Sequence, residues 1–88
     1  MANTKSAEKR NRQNEEQRQR NRSYRSRMRT AIKRLRAAVD AGEAEKAREL
    51  LPETIRVIDR TANKGVIHDN TAARYKSRLS QAVAGLST

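Results

Sequence analysis

The sequence predicts an all-α protein: a three-helix bundle with a long N-terminal helix projecting beyond the bundle. Three observations carry that expectation. Period-two alternation of apolar and polar residues is absent, so strands have no signal. Only three Gly and one Pro are available to make turns. Apolar residues recur at three- and four-residue steps in three separate segments, the spacing of one helix face. With 88 residues the chain is read as a single domain over 1–88, because separate cores need about 50 residues each.

The first helix is expected over residues 5–41. Tyr24, Met28, Ala31, Ile32, Leu35, Ala38 and Val39 form its stripe, and Gly42 can take the left-handed conformation that ends a helix. The second is expected over 43–64, with Ala47, Leu51, Ile55, Ile58 and Ala62 on one face and Lys64-Gly65 as its stop. Pro52 lies within it and predicts a kink or two abutting pieces, since proline removes one intrahelical hydrogen bond. The third is expected over 69–86, starting at Asp69 or Asn70, with Ala72, Tyr75, Leu79, Ala82, Val83 and Leu86 as its stripe. Short joints make adjacent helices antiparallel. At 1.5 Å per residue the first helix would be about 55 Å long and the second about 30 Å. The first must therefore overhang the bundle.

Charge and apolar content run in opposite directions along the chain. The net charge is +11. Residues 1–36 hold 13 basic and 3 acidic side chains, net +10, whereas residues 37–88 hold 8 and 7, net +1. The first 23 positions contain only Met1, Ala2 and Ala7 as apolar residues. Residues 5–23 thus have nothing to bury, and only pairs such as Glu8/Arg12 and Glu16/Arg20 favour their helix, each by a few tenths of a kcal/mol. Repulsion among the Arg residues opposes it. The expectation is a segment that frays alone and orders on a polyanion.

Several function classes are excluded at this point. Hydrophobic residues make up 34% of the chain, below the roughly 45–50% usual for globular proteins, so the core is thin and a large enclosing pocket is not expected. No Cys is present, which removes disulfides, thiol nucleophiles and Cys-based zinc sites. The single His is too few for the usual His-rich metal sites. His68, in Gly65-Val66-Ile67-His68-Asp69-Asn70, has no nucleophile beside it and reads as a loop or capping residue or an RNA contact. The glycines are isolated helix punctuation and form no phosphate loop. Asn21-Arg22-Ser23 matches a glycosylation sequon, without meaning in a chain read as cytoplasmic. No apolar run reaches the ~20 residues of a membrane span, and no apolar region follows the basic start as in a signal peptide. No enzymatic activity, cofactor, metal or small-molecule substrate is expected, and no homo-oligomer.

What remains is a polyanion binder. On a wheel of about 100° per residue, Arg18, Arg22, Arg25, Arg29 and Arg36 flank the apolar stripe on one side. Arg20, Arg27 and Arg34 flank it on the other. Asn14, Gln17, Asn21, Ser23 and Ser26 add short hydrogen-bonding groups suited to phosphate and sugar. Arg outnumbers Lys 15 to 6, and guanidinium forks match phosphate oxygens in pairs. A merely solvated face usually mixes signs, yet residues 17–39 hold no acid. Both tyrosines fall on apolar stripes, which leaves no platform for stacking splayed bases. Shape and backbone recognition of folded RNA is the better reading. The alternative is a DNA-binding architectural or basic-region protein, whose zipper would need more heptads than Gly42 allows.

The chain also resembles a known family. Met1-Ala2-Asn3-Thr4-Lys5-Ser6-Ala7-Glu8-Lys9-Arg10 resembles the start of the bacterial small-subunit ribosomal protein S-twenty family. So does Asn21-Arg22-Ser23-Tyr24-Arg25-Ser26-Arg27-Met28-Arg29-Thr30-Ala31-Ile32-Lys33. The most specific stretch runs from Ile58-Asp59-Arg60-Thr61-Ala62-Asn63-Lys64-Gly65 through Val66-Ile67-His68-Asp69-Asn70 to Leu79. The resemblance implies direct binding to 16S ribosomal RNA in the small ribosomal subunit, and support of its assembly. It implies contacts from Lys5, Ser6, Lys9, Arg10, Asn21, Ser23, Arg25, Ser26, Arg29, Thr30 and Lys33, to which the helical wheel adds Arg18 and Arg22. From the last motif it implies Lys64, His68, Asn70, Arg74 and Lys76. The family commonly has Lys where this chain has Asp69 and Thr71, so less is expected of the third helix.

Overall fold

The structure, a computed structural model, describes residues 2–86, with side chains from Ser6 to Leu86. It is all-α, with α1 at Ala2–Asp40, α2 at Ala44–Asn63 and α3 at Asp69–Ala84. The three-residue and five-residue joints fold each helix back on the one before. α2 packs extensively on both neighbours, whereas α1 and α3 meet more sparsely.

Both joints are built by a glycine. Gly42 has φ +72° and Gly65 has φ +74°, a region where other residues pay for a crowded Cβ. At the end of α1 the Glu43 amide donates to the Ala38 carbonyl (2.9 Å) and the Gly42 amide to Val39 (3.0 Å). At the end of α2 the Val66 amide donates to Thr61 (3.1 Å) and the Gly65 amide to Ala62 (2.9 Å). This paired closure satisfies carbonyls that a helix end otherwise leaves open. It also turns Val66 inward, where it is buried.

The core is a single cluster. Met28, Ile32, Leu35 and Ala38 come from α1, Ala47 and Ile58 from α2, and Ala72, Leu79 and Val83 from α3. On α2 the buried line passes through two residues that an apolar pattern does not mark, Thr54 and Thr61. Each hydroxyl donates to the carbonyl one turn back, Thr54 to Leu50 at 2.8 Å and Thr61 to Val57 at 2.7 Å. A threonine so bonded presents its methyl to the core with no unsatisfied polar atom. The stripe expected on α2 is rotated accordingly, leaving Leu51, Ile55 and Ala62 half-buried; on α3 Ala82 is exposed.

Pro52 lies inside α2, which is one element from Ala44 to Asn63 and not two abutting pieces. The ring is exposed, so the carbonyl it leaves without a donor can face water. The N-cap of α3 is His68, rather than Asp69 or Asn70. Its backbone is extended (φ −72°, ψ 149°), and its Nδ1 accepts from the Asn70 amide at 3.1 Å.

α1 runs unbroken to Ala2, the helical form expected of this segment on a polyanion. Composition favours that form. Residues 6–20 contain no Gly, Pro or β-branched residue and are mostly Arg, Glu, Gln, Ala and Lys, which favour helix intrinsically. Among the described residues, the ion pairs that close are Glu43–Lys46 and Asp59–Lys76, and neither Glu8/Arg12 nor Glu16/Arg20 is in contact. Every side chain from Ser6 to Arg20 is exposed. The molecule consequently measures 69 × 21 × 15 Å, and its radius of gyration is 17.8 Å, against about 12 Å for a compact chain of this length.

Candidate nucleic-acid interface

The basic side chains take their places from the register of α1. Leu35, Met28, Ile32 and Ala38 face the core, so residues about a quarter-turn or more away on the helix must point to solvent. Arg18, Arg22, Arg25, Ser26, Arg29 and Thr30 share one shallow concavity of about 710 Å³. They follow one another at steps of one, three and four residues, and all six are exposed. Four guanidinium groups thus lie along one line of the helix, with the hydroxyls of Ser26 and Thr30 beside them. Among the described residues, that line carries no ion pair to a carboxylate. Such a row can donate several parallel hydrogen bonds to successive phosphates without first breaking internal pairs.

The row continues toward the C-terminal end of α1. Arg25, Arg29, Lys33 and Arg36 form one wall of a groove of about 580 Å³, bounded opposite by Ile67 of the second joint and by Thr71 and Tyr75 of α3. Arg36 lies with the other cations here, on the stripe where the helical wheel puts it, although the contacts named individually on α1 stop at Lys33. Arg20, Arg27 and Arg34 are exposed along the opposite edge. Arg34 lies near Lys46 and Glu43 in a separate concavity beside α2.

The other candidate residues fall in three places. Ser6 and Arg10 share a concavity with Asn11 and Asn14 on the overhanging half of α1, where Lys9 is also exposed; the Lys5 side chain lies outside the described residues. Asn21 is half-buried where α1 enters the bundle, and Ser23 is exposed. Lys64, His68, Asn70 and Arg74 are exposed around the second joint and the first turns of α3. None of them lines the α1 groove. His68 is already engaged as the cap of α3. Lys76 is half-buried, and its Nζ sits 2.8 Å from Asp59 Oδ1 on α2, where it ties the two helices together.

Fold and surface together define a small α-helical protein built to hold a polyanion along one exposed helix. Residues 2–84 match the family described as Ribosomal protein S20, and the chain belongs to that family. It is 52% identical over 88 residues to the small ribosomal subunit protein bS20 of Pseudomonas aeruginosa, covering 100% of this chain and 97% of that one. It is 54% identical over 83 residues to the protein of that name from Mycobacterium avium, covering 94% and 96%. The bS20 of Teredinibacter turnerae is 49% identical over 86 residues, 98% of each chain.

Proposed function

We propose that the chain is a structural component of the small ribosomal subunit. In this reading it binds 16S ribosomal RNA directly through phosphate and shape contacts, supports assembly of the subunit and has no enzymatic activity. The site of action is the ribosome in the cytoplasm. The whole chain works as one unit, the bundle fixing the direction in which α1 overhangs.

The observation that carries the reading is the exposed row Arg18–Arg22–Arg25–Arg29 on a helix continued by an overhang with no core of its own. A row of guanidinium groups with no carboxylate paired to it, on a helix that runs on past its own core, is completed by a partner that supplies the opposite charge. Membership of a ribosomal-protein family makes that partner RNA. The contact set proposed is the α1 row together with Lys5, Ser6, Lys9, Arg10, Asn21, Ser23, Ser26, Thr30 and Lys33. Lys64, His68, Asn70, Arg74 and Lys76 add a second patch at the α2–α3 end. Among the described residues, no helix is long and apolar enough to cross a membrane and no group of side chains could hold a metal ion.

Sedimentation tests the reading. The protein should travel with small subunits, leave them after RNase and remain after DNase; release by DNase alone would overturn it. Binding to isolated 16S RNA should weaken by on the order of 10³-fold or more between 50 and 200 mM salt, as expected when about six to eight phosphates are neutralised.

A further inference from the structure

The groove between α1 and α3 has a character that the rest of the basic surface lacks. Its floor is apolar, formed by Met28 and Ile32 of α1 together with Ile67 and Tyr75. Met28 and Ile32 are buried members of the core, while Ile67 and Tyr75 are half-buried against that core. One side of the groove is edged by Arg25, Arg29, Lys33 and Arg36, and a single acid, Asp40, closes one end. Thr71 adds a hydroxyl on the α3 side. Tyr75, on the apolar stripe of α3, is thus partly open within a cleft rimmed by cations.

We infer that this groove seats one extrahelical RNA nucleotide, its base against Tyr75, Ile67 and Met28 and its flanking phosphates on Arg25, Arg29 and Lys33. The inference rests on the proposed function. It adds a base-binding pocket to a surface otherwise suited to backbone contact alone. Three properties argue for this occupant. The volume, about 580 Å³, falls in the range of roughly 300–1,000 Å³ typical of small-molecule pockets, ample for a base and its ribose. The combination of an aromatic ring with adjacent guanidinium groups is what a splayed nucleotide needs, a surface for its π-face and donors for its phosphates. An apolar peptide side chain would fill the floor but leave the four cations of the rim without counter-charge. The edges also have partners, since the Asp40 carboxylate can accept from an exocyclic amino group and the Thr71 hydroxyl can serve a ribose or base oxygen.

The pocket exists because of how the helices meet. α1 and α3 each pack mainly on α2 and only sparsely on one another. Their outer edges therefore diverge on the side away from α2, and the cleft stays open there. Its position continues the arginine row, so a phosphate chain following α1 arrives at the groove without changing direction.

The test compares two RNA hairpins of equal length and charge, one fully paired and one with a single bulged adenosine in the stem. Binding is measured at about 200 mM salt, where uniform phosphate contacts are weakened. The bulged hairpin should bind the unaltered chain about tenfold more tightly, the scale of one base stacked on an aromatic side chain. Tyr75→Leu should remove that preference and leave binding of the paired hairpin and its salt slope intact, whereas Tyr75→Phe should retain the preference. Equal binding of both hairpins by the unaltered chain would overturn the groove proposal and leave the ribosomal reading standing; that comparison needs no variant to fold. A preference that survives Tyr75→Leu would also overturn it. Failure to bind either hairpin at any salt would overturn both.

Discussion

The two halves of α1 share one backbone conformation and almost nothing else. From Asn21 onward the helix has an inside: Leu35 is fully buried, Met28, Ile32 and Ala38 nearly so, and α2 and α3 cover them. From Ser6 to Arg20 it has no inside at all, and every side chain meets solvent. In the first case burial selects the helix, and each apolar side chain removed from water contributes about 1.5–3 kcal/mol. In the second, only intrinsic propensity does, at a few tenths of a kcal/mol per residue. The contrast teaches that one helix can be a folded element at one end and a binding element at the other. The cations belong to both halves, but most of the aligned row, Arg22, Arg25 and Arg29 after Arg18, lies in the C-terminal one.

The largest expected effect breaks the comparison at the interface. Replacing Arg18, Arg22, Arg25 and Arg29 together by Gln should lower affinity for 16S RNA by on the order of 10³-fold near 100 mM salt and reduce the salt slope by about 3 to 4. The melting temperature should barely move, because all four side chains are exposed. Filter binding across a salt series, with thermal melting alongside, reads both. Unchanged affinity would mean that the row is only a solvated face.

Next in size is the core. Leu35→Ala empties a fully buried position and should destabilise the bundle by about 3 kcal/mol, a large share of what so thin a core supplies. Chemical denaturation followed by circular dichroism measures it. Amide exchange in the Ser6–Arg20 segment should be unaffected, since nothing there leans on Leu35.

The smallest effect sharpens the comparison from the other side. Ala7→Gly should weaken the local helix by about 1 kcal/mol, visible as faster amide exchange on the overhang, with no shift in the bundle's melt. A melt that moved with it would show that the overhang is packed, contrary to its exposure.

Much of this contrast is legible in the sequence, for identifiable physical reasons. Gly42 and Gly65 mark both helix ends because the closures there need positive φ, which glycine takes at little cost. The α1 apolar stripe is visible because its buried residues are hydrocarbon. On α2 the pattern misleads, since Thr54 and Thr61 are polar by type and apolar by behaviour once their hydroxyls bond back to the helix. At Pro52 the sequence leaves a kink and a division both open, because the cost of the ring depends on whether the orphaned carbonyl faces water, a tertiary fact. The sequence admits His68 as a cap, but Asp69 and Asn70 are the stronger cap formers by type, and only the geometry shows Nδ1 meeting the Asn70 amide. For the interface, the helical period places the arginine row. It does not reveal the groove, which depends on how far α1 and α3 diverge, nor that Lys76 is tied to Asp59.

The 69 Å length of the molecule also has a kinetic meaning. Of the net +11, residues 1–36 carry +10, of which residues 21–36 hold +7 and the overhang, where three Glu offset six cations, holds +3. The densest charge therefore lies where α1 enters the bundle, and α2 and α3 behind it are nearly neutral. The field of a polyanion turns that side toward itself during approach. Productive encounters then begin on the arginine row, and contact spreads from there along the overhang.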